Sequence, residues 1–239
     1  MTYTLSRRLI AVLLILLTGL TGAASAQELS ADEIVDRLET RAETARDVDF
    51  VATGAIYNPD GEVIDLNVEV QLIPDLELAR LYFVEPAELA DNFIIVDGNV
   101  VYNYLFLTNQ VTILNADDPD ALGGLFPQVD AEQAEEEFGL ELSLDRLFLG
   151  WNITKEGYSE SPLGNVYELR LNNEDPSEEI STINAEVLDG SWLPYRLEFV
   201  QPDGTVLAEL TFVDVMVNEG LEPANLRFFP TNAEVIDER

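Results

Sequence analysis

The segment Val63–Ile73 constrains the fold more than any other part of the chain, because its residues alternate strictly between apolar and polar. Even positions carry Ile64, Leu66, Val68, Val70 and Leu72, and odd positions between them carry Asp65, Asn67, Glu69 and Gln71. A period of two is that of a β-strand whose two faces meet different surroundings. We therefore predict an antiparallel sheet with one face against an apolar interior and the other against water.

Strand patterns of this kind fill most of the chain in two blocks. The other predicted strands are Phe50–Tyr57, Leu76–Val84, Asn92–Val96, Val100–Leu105, Gln110–Leu114, Lys155–Tyr158, Val166–Leu171, Ser181–Leu188, Leu193–Gln201, Val206–Val217 and Leu226–Phe229. Turn residues separate them, and Asp97-Gly98 predicts a tight hairpin.

Two segments have helical spacing instead. Ser30 and Glu33 form a capping box, after which apolar residues fall on one face as far as Ala45. Between the two strand blocks, Leu147, Phe148 and Trp151 also lie at helical spacing. The predicted layout is therefore mainly β with helices (α+β), in which one curved antiparallel sheet has helices on one side.

The first 26 residues have the composition of a secretory signal peptide. Arg7 and Arg8 precede the apolar run Leu9–Leu20, and Ala24-Ser25-Ala26 has the small-x-small pattern that signal peptidase cleaves. The run is shorter than the roughly 20 residues that a membrane span requires. We predict that residues 27–239 form a single domain, exported to the periplasm or cell envelope.

The charge and the missing residue types narrow the possible functions. The chain has 46 acidic and 12 basic side chains, a formal net charge of -34, no histidine and no cysteine. Such a charge repels nucleic acid, so we expect no nucleic-acid partner. Without imidazole or thiolate, triads and the usual zinc sites are excluded, and we expect no enzymatic activity, no metal and no cofactor. A carboxylate-based hydrolase is an alternative, although no motif fixes a pair of carboxylates.

Several motifs, in their order along the chain, resemble the LolA family of periplasmic lipoprotein carriers. Leu78-Ala-Arg-Leu-Tyr82 and Glu85-Pro86 are followed by Phe93-Ile-Ile-Val-Asp97-Gly98 and the aromatic strand Val100-Val-Tyr-Asn-Tyr104. Near the end, Leu226-Arg-Phe-Phe-Pro230 and then Glu234-Val-Ile-Asp237 are similar to the closing strand and tail of the family.

The resemblance implies an unclosed antiparallel β-barrel covered by the N-terminal helix and a central helical lid. In that family, an apolar cavity receives acyl chains of a lipoprotein from an inner-membrane transporter and passes them to an outer-membrane acceptor. We therefore expect a monomeric carrier of lipoprotein acyl chains or of lipid, without covalent catalysis. The alternative is an exported sensor or adaptor of the same fold, which binds a protein partner through its acidic surface.

Strand alternation, together with this resemblance, selects the residues that we expect to line the cavity. The long strand contributes Leu66, Val68 and Val70, the hairpin contributes Phe93, Ile95, Tyr102 and Tyr104, and the lid contributes Leu147, Phe148 and Trp151.

Overall fold

The computed structural model describes residues 29–58, 61–116, 118, 121, 151–173 and 180–239. The predicted signal peptide and most of the predicted lid, including Leu147 and Phe148, lie outside these ranges and stay predictions. The elements below belong to the unit Ala31–Arg239.

The described part of the chain contains twelve strands and few helical residues. The strands are β1 (Val48–Tyr57), β2 (Val63–Ile73), β3 (Leu78–Glu85), β4 (Phe93–Asp97), β5 (Val100–Leu105), β6 (Gln110–Asn115), β7 (Trp151–Ser161), β8 (Gly164–Asn173), β9 (Thr182–Leu188), β10 (Pro194–Val200), β11 (Val206–Val217) and β12 (Glu234–Asp237). The helical elements are α1 (Ala31–Glu43), a 3₁₀ turn (Pro74–Leu76) and α2 (Pro223–Leu226).

All twelve strands belong to one sheet, in the order β12-β6-β5-β4-β3-β2-β1-β11-β10-β9-β8-β7. Neighbouring strands are antiparallel except for the parallel pair β12–β6. The two edge strands, β12 and β7, do not pair with each other, so the sheet is not closed. The predicted fold class, mainly β with an unclosed antiparallel sheet, is confirmed.

Two sequence-based element predictions need correction, and one strand was missed. The predicted strand Leu226–Phe229 is wrong, because Leu226 ends the short helix α2. The strand β12 was not predicted. Trp151, expected in the helical lid, is instead the first residue of β7. Ile153 and Lys155 follow it on the same side of the strand, so the alternation of β7 already begins at Trp151.

Gly54 in β1 allows an unusually close approach between the two halves of the sheet. Strands β1 and β11 join the N-terminal and C-terminal blocks, with Gly54 opposite Leu210. A Cβ atom at Gly54 would overlap the backbone carbonyl of Glu209. Only glycine fits at this junction without moving a strand.

The C-terminal residues 221–233, which precede β12, cover one side of strands β3 to β6. Leu226 is buried there against a cluster that includes Ile95 and Tyr104. Arg80 Nη1 donates hydrogen bonds to the carbonyl oxygens of Leu226 and Phe228, at 3.2 and 2.6 Å. These contacts bind the last segment of the chain to the sheet, and we call the surface beneath it the covered face.

Helix α1 begins directly after the predicted N-cap Ser30 and ends at Glu43, close to the predicted limits. It buries Ile34, Val35 and Leu38 and contacts β7 at the edge of the sheet. The apolar stripe of the helix therefore covers this end of the sheet, as its spacing predicted.

Candidate functional site

One side of the sheet, which we call the apolar face, carries almost no polar side chains on the six neighbouring strands β4, β3, β2, β1, β11 and β10. The register sets Val68 of β2 opposite Ala52 of β1 and Phe83 of β3, and Phe212 of β11 lies opposite Ala52. Residues on this face are Phe50, Ala52 and Ile56 (β1), Ile64, Leu66, Val68 and Val70 (β2), Ala79, Leu81 and Phe83 (β3), Ile94 and Val96 (β4), Leu197 and Phe199 (β10), and Ala208, Leu210 and Phe212 (β11).

The middle of this face is more exposed than its two sides. Val68, Val70, Phe83 and Ile94 belong to a buried cluster on one side of it. On the other side, Leu169, Leu171, Ile183 and Ala185 are also buried. Between them lies the central strip, whose members are all only partly buried: Ala52, Ile56, Ile64, Leu66, Ala208, Leu210 and Phe212.

A partly exposed strip at this position is unusual for a sheet of twelve strands. Strands β1 and β11 are the seventh and eighth in the order, so they would be expected to be the most buried. Contiguous apolar surface that the protein does not fully bury is the kind of feature that marks a binding site. The strip contains no charged side chain and is therefore suited to an apolar ligand.

The structure divides the predicted lining residues between the two sides of the sheet. Leu66, Val68 and Val70 lie on the apolar face, Leu66 in the central strip and the two valines in the buried cluster beside it. Trp151 also lies on this face, because its neighbour Ile153 pairs with Leu171, although it belongs to β7 and not to a helix.

The four hairpin residues, in contrast, lie on the covered face. Phe93 and Tyr104 are stacked there with ring centres 4.5 Å apart, and Tyr102 stacks on Phe229 of the C-terminal segment at 6.0 Å. Ile95 is buried in the same cluster. The prediction that Phe93, Ile95, Tyr102 and Tyr104 share a surface with Leu66 is therefore corrected.

The reason for this error is that β4 is apolar at every position from Phe93 to Val96. Ile94 and Val96 face the apolar face, and Phe93 and Ile95 face the C-terminal segment. Because both sides of the strand are buried, alternation does not show which set shares a surface with Leu66.

The sequence-based set also missed the central strip residues of β1 and β11. Ala52, Leu210 and Phe212 face the strip, and the phenylalanine makes an edge-to-face contact with Phe50 at 5.5 Å. The alternation of β11 places Leu210 and Phe212 on one face in the sequence, so this signal was present. Only the pairing of β11 with β1 shows that this face adjoins Leu66.

The opposite side of β8 to β11 carries an acidic band, defined by Glu168, Glu186, Glu198 and Glu209. The register sets Glu168 opposite Glu186 and Glu198 opposite Glu209. Arg196 lies among them, 2.5 Å from Glu209, 3.8 Å from Glu198 and 3.9 Å from Glu186. Burial raises the pKa of Glu186, and the nearby Arg196 opposes this rise.

The chemistry available in the acidic band is ion pairing. Arg196 shares its charge among three carboxylates, so these groups do not form the opposed pair across a cleft that the hydrolase alternative requires. Among the described residues, no group of three or more acidic side chains could hold a metal ion. Within the same ranges, the helices are all too short or too polar to cross a bilayer.

Comparison with known proteins supports the fold. No protein-family model matches the sequence, and no curated protein sequence matches it. Among solved structures, the chain is similar to an uncharacterized conserved protein from Thermus thermophilus, with 24% identity, a TM-score of 0.58, and coverage of 87% of this chain and 98% of that chain. It is also similar to MucB, with 12% identity, a TM-score of 0.51, and coverage of 89% of this chain and 66% of that chain.

A LolA superfamily protein from Nitrosomonas europaea also matches, with 13% identity, a TM-score of 0.39, and coverage of 84% of this chain and 99% of that chain. All of these identities are below 25%, so the similarity concerns the fold. At that level, the mainly β fold with an unclosed sheet, which the resemblance to LolA-like proteins implied, is confirmed.

Proposed function

We propose that this protein binds acyl chains of a lipid or lipoprotein on the central strip and carries them across the periplasm or cell envelope. The observation that carries the proposal is the partly exposed strip on β1, β2 and β11, which contains no charged side chain. An inner-membrane donor and an outer-membrane acceptor would complete the route. The carrier itself performs no covalent step.

The energetics of acyl transfer explain why such a strip is useful. Each CH₂ group that leaves water contributes about 0.8 kcal/mol, so a long acyl chain cannot cross an aqueous space unprotected. A surface made of Leu66, Leu210 and Phe212 supplies apolar contact without a fixed polar partner. Binding then depends on area more than on geometry, which permits release to an acceptor that offers a similar environment.

The substitution Ala52→Trp tests this proposal, because Ala52 lies between Val68 and Phe212 at the centre of the strip. An indole at this position would occupy the space of about three or four methylene groups of a ligand. The expected cost is about 2.5–3 kcal/mol, or roughly a 100-fold weaker affinity for a long-chain fluorescent fatty acid. Ala55→Trp is the matched control, since Ala55 is on the same strand, is also partly buried and points to the other side of the sheet.

Titration of the fluorescent fatty acid and lipid mass spectrometry of the purified protein provide the two readouts. We expect wild type and Ala55→Trp to bind, and Ala52→Trp to bind weakly, with similar thermal stability for the two variants. Equal affinities for Ala52→Trp and Ala55→Trp would refute binding at the strip. A wild-type protein that carries no lipid and binds no apolar probe would refute the carrier function itself.

The acidic band favours a second candidate function, an exported adaptor that binds a basic protein. Glu168, Glu186, Glu198 and Glu209 present more negative charge than Arg196 and Arg170 compensate. MucB, which has a similar fold, has been solved in complex with MucA(peri). A partner that co-purifies at low salt and dissociates at high salt, from a protein that contains no lipid, would support the adaptor.

A further inference from the structure

Three aromatic side chains form a continuous stack at the β7–β8 edge of the apolar face. Tyr158 lies against Tyr167 with ring centres 4.9 Å apart, and Tyr167 stacks on Trp192 at 5.8 Å with the planes only 13° apart. Tyr158 is 46% exposed, so the stack reaches the surface of the protein. We call these three residues the aromatic stack.

Two cationic side chains lie against this stack, one from α1 and one from β7. The Arg37 guanidinium is 4.6 Å from the centre of the Trp192 ring, and Lys155 Nζ is 5.4 Å from the centre of the Tyr167 ring. Lys155 is the only lysine of a chain with a net charge of -34. Two cations on one stack are therefore a local exception to the charge of the protein.

The register connects the aromatic stack with the central strip. Tyr167 pairs with Val187 of β9, which pairs with Pro194 of β10. Two residues further along β10, Arg196 pairs with Thr211, the neighbour of Phe212 in the strip. The distance along the sheet from β8 to β11 is three strand spacings, about 14 Å. The aromatic stack and the central strip lie on the same face of the sheet, separated by a distance that is shorter than a long acyl chain.

The backbone at Trp192 supports a specific role for this side chain. Trp192 has a φ of 54°, in the left-handed region that bulky residues rarely adopt. Its N–H donates to the Leu188 carbonyl at 3.1 Å, and this bond closes the turn between β9 and β10. The turn thus holds the indole in place between Tyr167 and Arg37.

We propose that the aromatic stack, with Arg37 and Lys155, is a head-group site that selects acyl lipids bearing a phosphate. The proposal rests on the function proposed above and names the cargo as a phosphate-bearing lipid. A guanidinium offers a planar pair of donors to phosphate oxygens, and an ammonium adds a compact charge. Tyrosine and tryptophan suit the boundary between an acyl chain and a polar head, because each has an apolar body and a polar tip.

Asp189 is an acidic group beside the stack, and its carboxylate is hydrogen-bonded to the stack itself. Tyr158 Oη donates to Asp189 Oδ2 at 2.6 Å, and the pKa of this phenol is raised, chiefly by that bond. The pKa of Tyr167 is raised by burial first and by Asp189 second. The carboxylate thus orients the phenols of the stack, and Arg37 and Lys155 supply the charge that a phosphate requires.

The test compares two lipids with the same tail, 1-palmitoylglycerol 3-phosphate and 1-palmitoylglycerol, below their micelle concentrations. We expect the wild-type protein to bind the phosphate lipid at least tenfold more tightly, since a charge-assisted hydrogen bond contributes about tenfold or more. The double variant Arg37→Gln/Lys155→Gln should lose this preference and bind the neutral lipid within about twofold of wild type. The matched control is Arg170→Gln/Arg239→Gln, which removes two charges from exposed residues: Arg170 lies on the other side of β8, and Arg239 pairs with Asp237 at the C-terminal end.

Each remaining outcome overturns the proposal in a distinguishable way. If the double variant weakens both lipids equally, Arg37 only fixes helix α1 to the sheet. If wild type binds both lipids equally, the aromatic stack does not recognise the phosphate head group, while the proposed binding of acyl chains is unaffected. If inorganic phosphate alone competes at the concentration of the lipid, the site is one for free phosphate. Failure to bind either lipid would overturn the acyl carrier as well.

Discussion

The substitution Gly54→Ala should destabilise the protein by several kcal/mol, although it adds a single methyl group. Gly54 lies in β1 at the junction with β11, which joins the two blocks of strands. The added Cβ would overlap the backbone carbonyl of Glu209 and also lie 3.0 Å from the Cα of Leu210. Backbone atoms cannot rotate away as a side chain can, so the two strands must separate.

The magnitude follows from what this separation breaks. About two ladder hydrogen bonds of about 1 kcal/mol each are lost or lengthened, and overpacking adds about 1–3 kcal/mol. Alanine also lowers the conformational entropy of the unfolded chain, and this offsets about 0.4–1 kcal/mol of the lost stability. The expected net loss is about 2–4 kcal/mol, which lowers the melting temperature of a domain of this size by roughly 5–15 °C.

Urea unfolding followed by circular dichroism measures this change, and Gly157→Ala is the control. A Cβ at Gly157 would lie 2.5 Å from Oε2 of Glu168, the end of a flexible side chain that can move aside. We therefore expect Gly157→Ala to remain within about 1 kcal/mol of wild type. If Gly54→Ala were as stable as Gly157→Ala, the close approach of β1 and β11 would be refuted.

Two further predictions concern the C-terminal segment. Arg80→Met should destabilise the protein by about 2–4 kcal/mol in urea unfolding, because it removes the hydrogen bonds to Leu226 and Phe228; an unchanged midpoint would contradict this role. Asp97→Asn removes the negative charge and one of the two acceptor oxygens that receive hydrogen bonds from Arg227, and these hydrogen bonds lower the pKa of Asp97. The stability from this pair is present above the unfolded pKa of about 3.9 and is lost as the pH falls through the lower folded value. The difference between wild type and Asp97→Asn should therefore shrink below about pH 4, and a difference that stays constant down to about pH 2.5 would exclude the pair as its source.

Much of the sheet could be predicted from the sequence where one face of a strand is wet. The bounds of β2, β5 and β11 agree with the prediction, because turn residues mark their ends. Strand β12 could not be predicted in this way, since its four residues pair in parallel with β6, which lies far earlier in the chain. No local pattern specifies such a pairing.

The candidate site could be predicted only in part, for a related reason. The wet side of β2 identifies Leu66 as inward-facing, whereas β4 is covered on both sides and gives no such sign. The signal that distinguishes the sides of β4 is the C-terminal segment, which packs Leu226 against the side of Ile95. Knowledge of that long-range contact was needed to exclude Phe93 and Ile95 from the lining.

The distribution of charge over the sheet unites the fold with the proposed function. Glu198 and Glu209 face each other on the acidic band, an arrangement of like charges that costs stability and is tolerated with Arg196 between them. The neighbours Leu197 and Leu210 on the other side of the same strands are apolar. A carboxylate on that side would have to lose its hydration beside an acyl chain, at a cost far greater than that of like charges in water. An acidic chain that binds acyl groups must therefore confine its charges to one side of these strands.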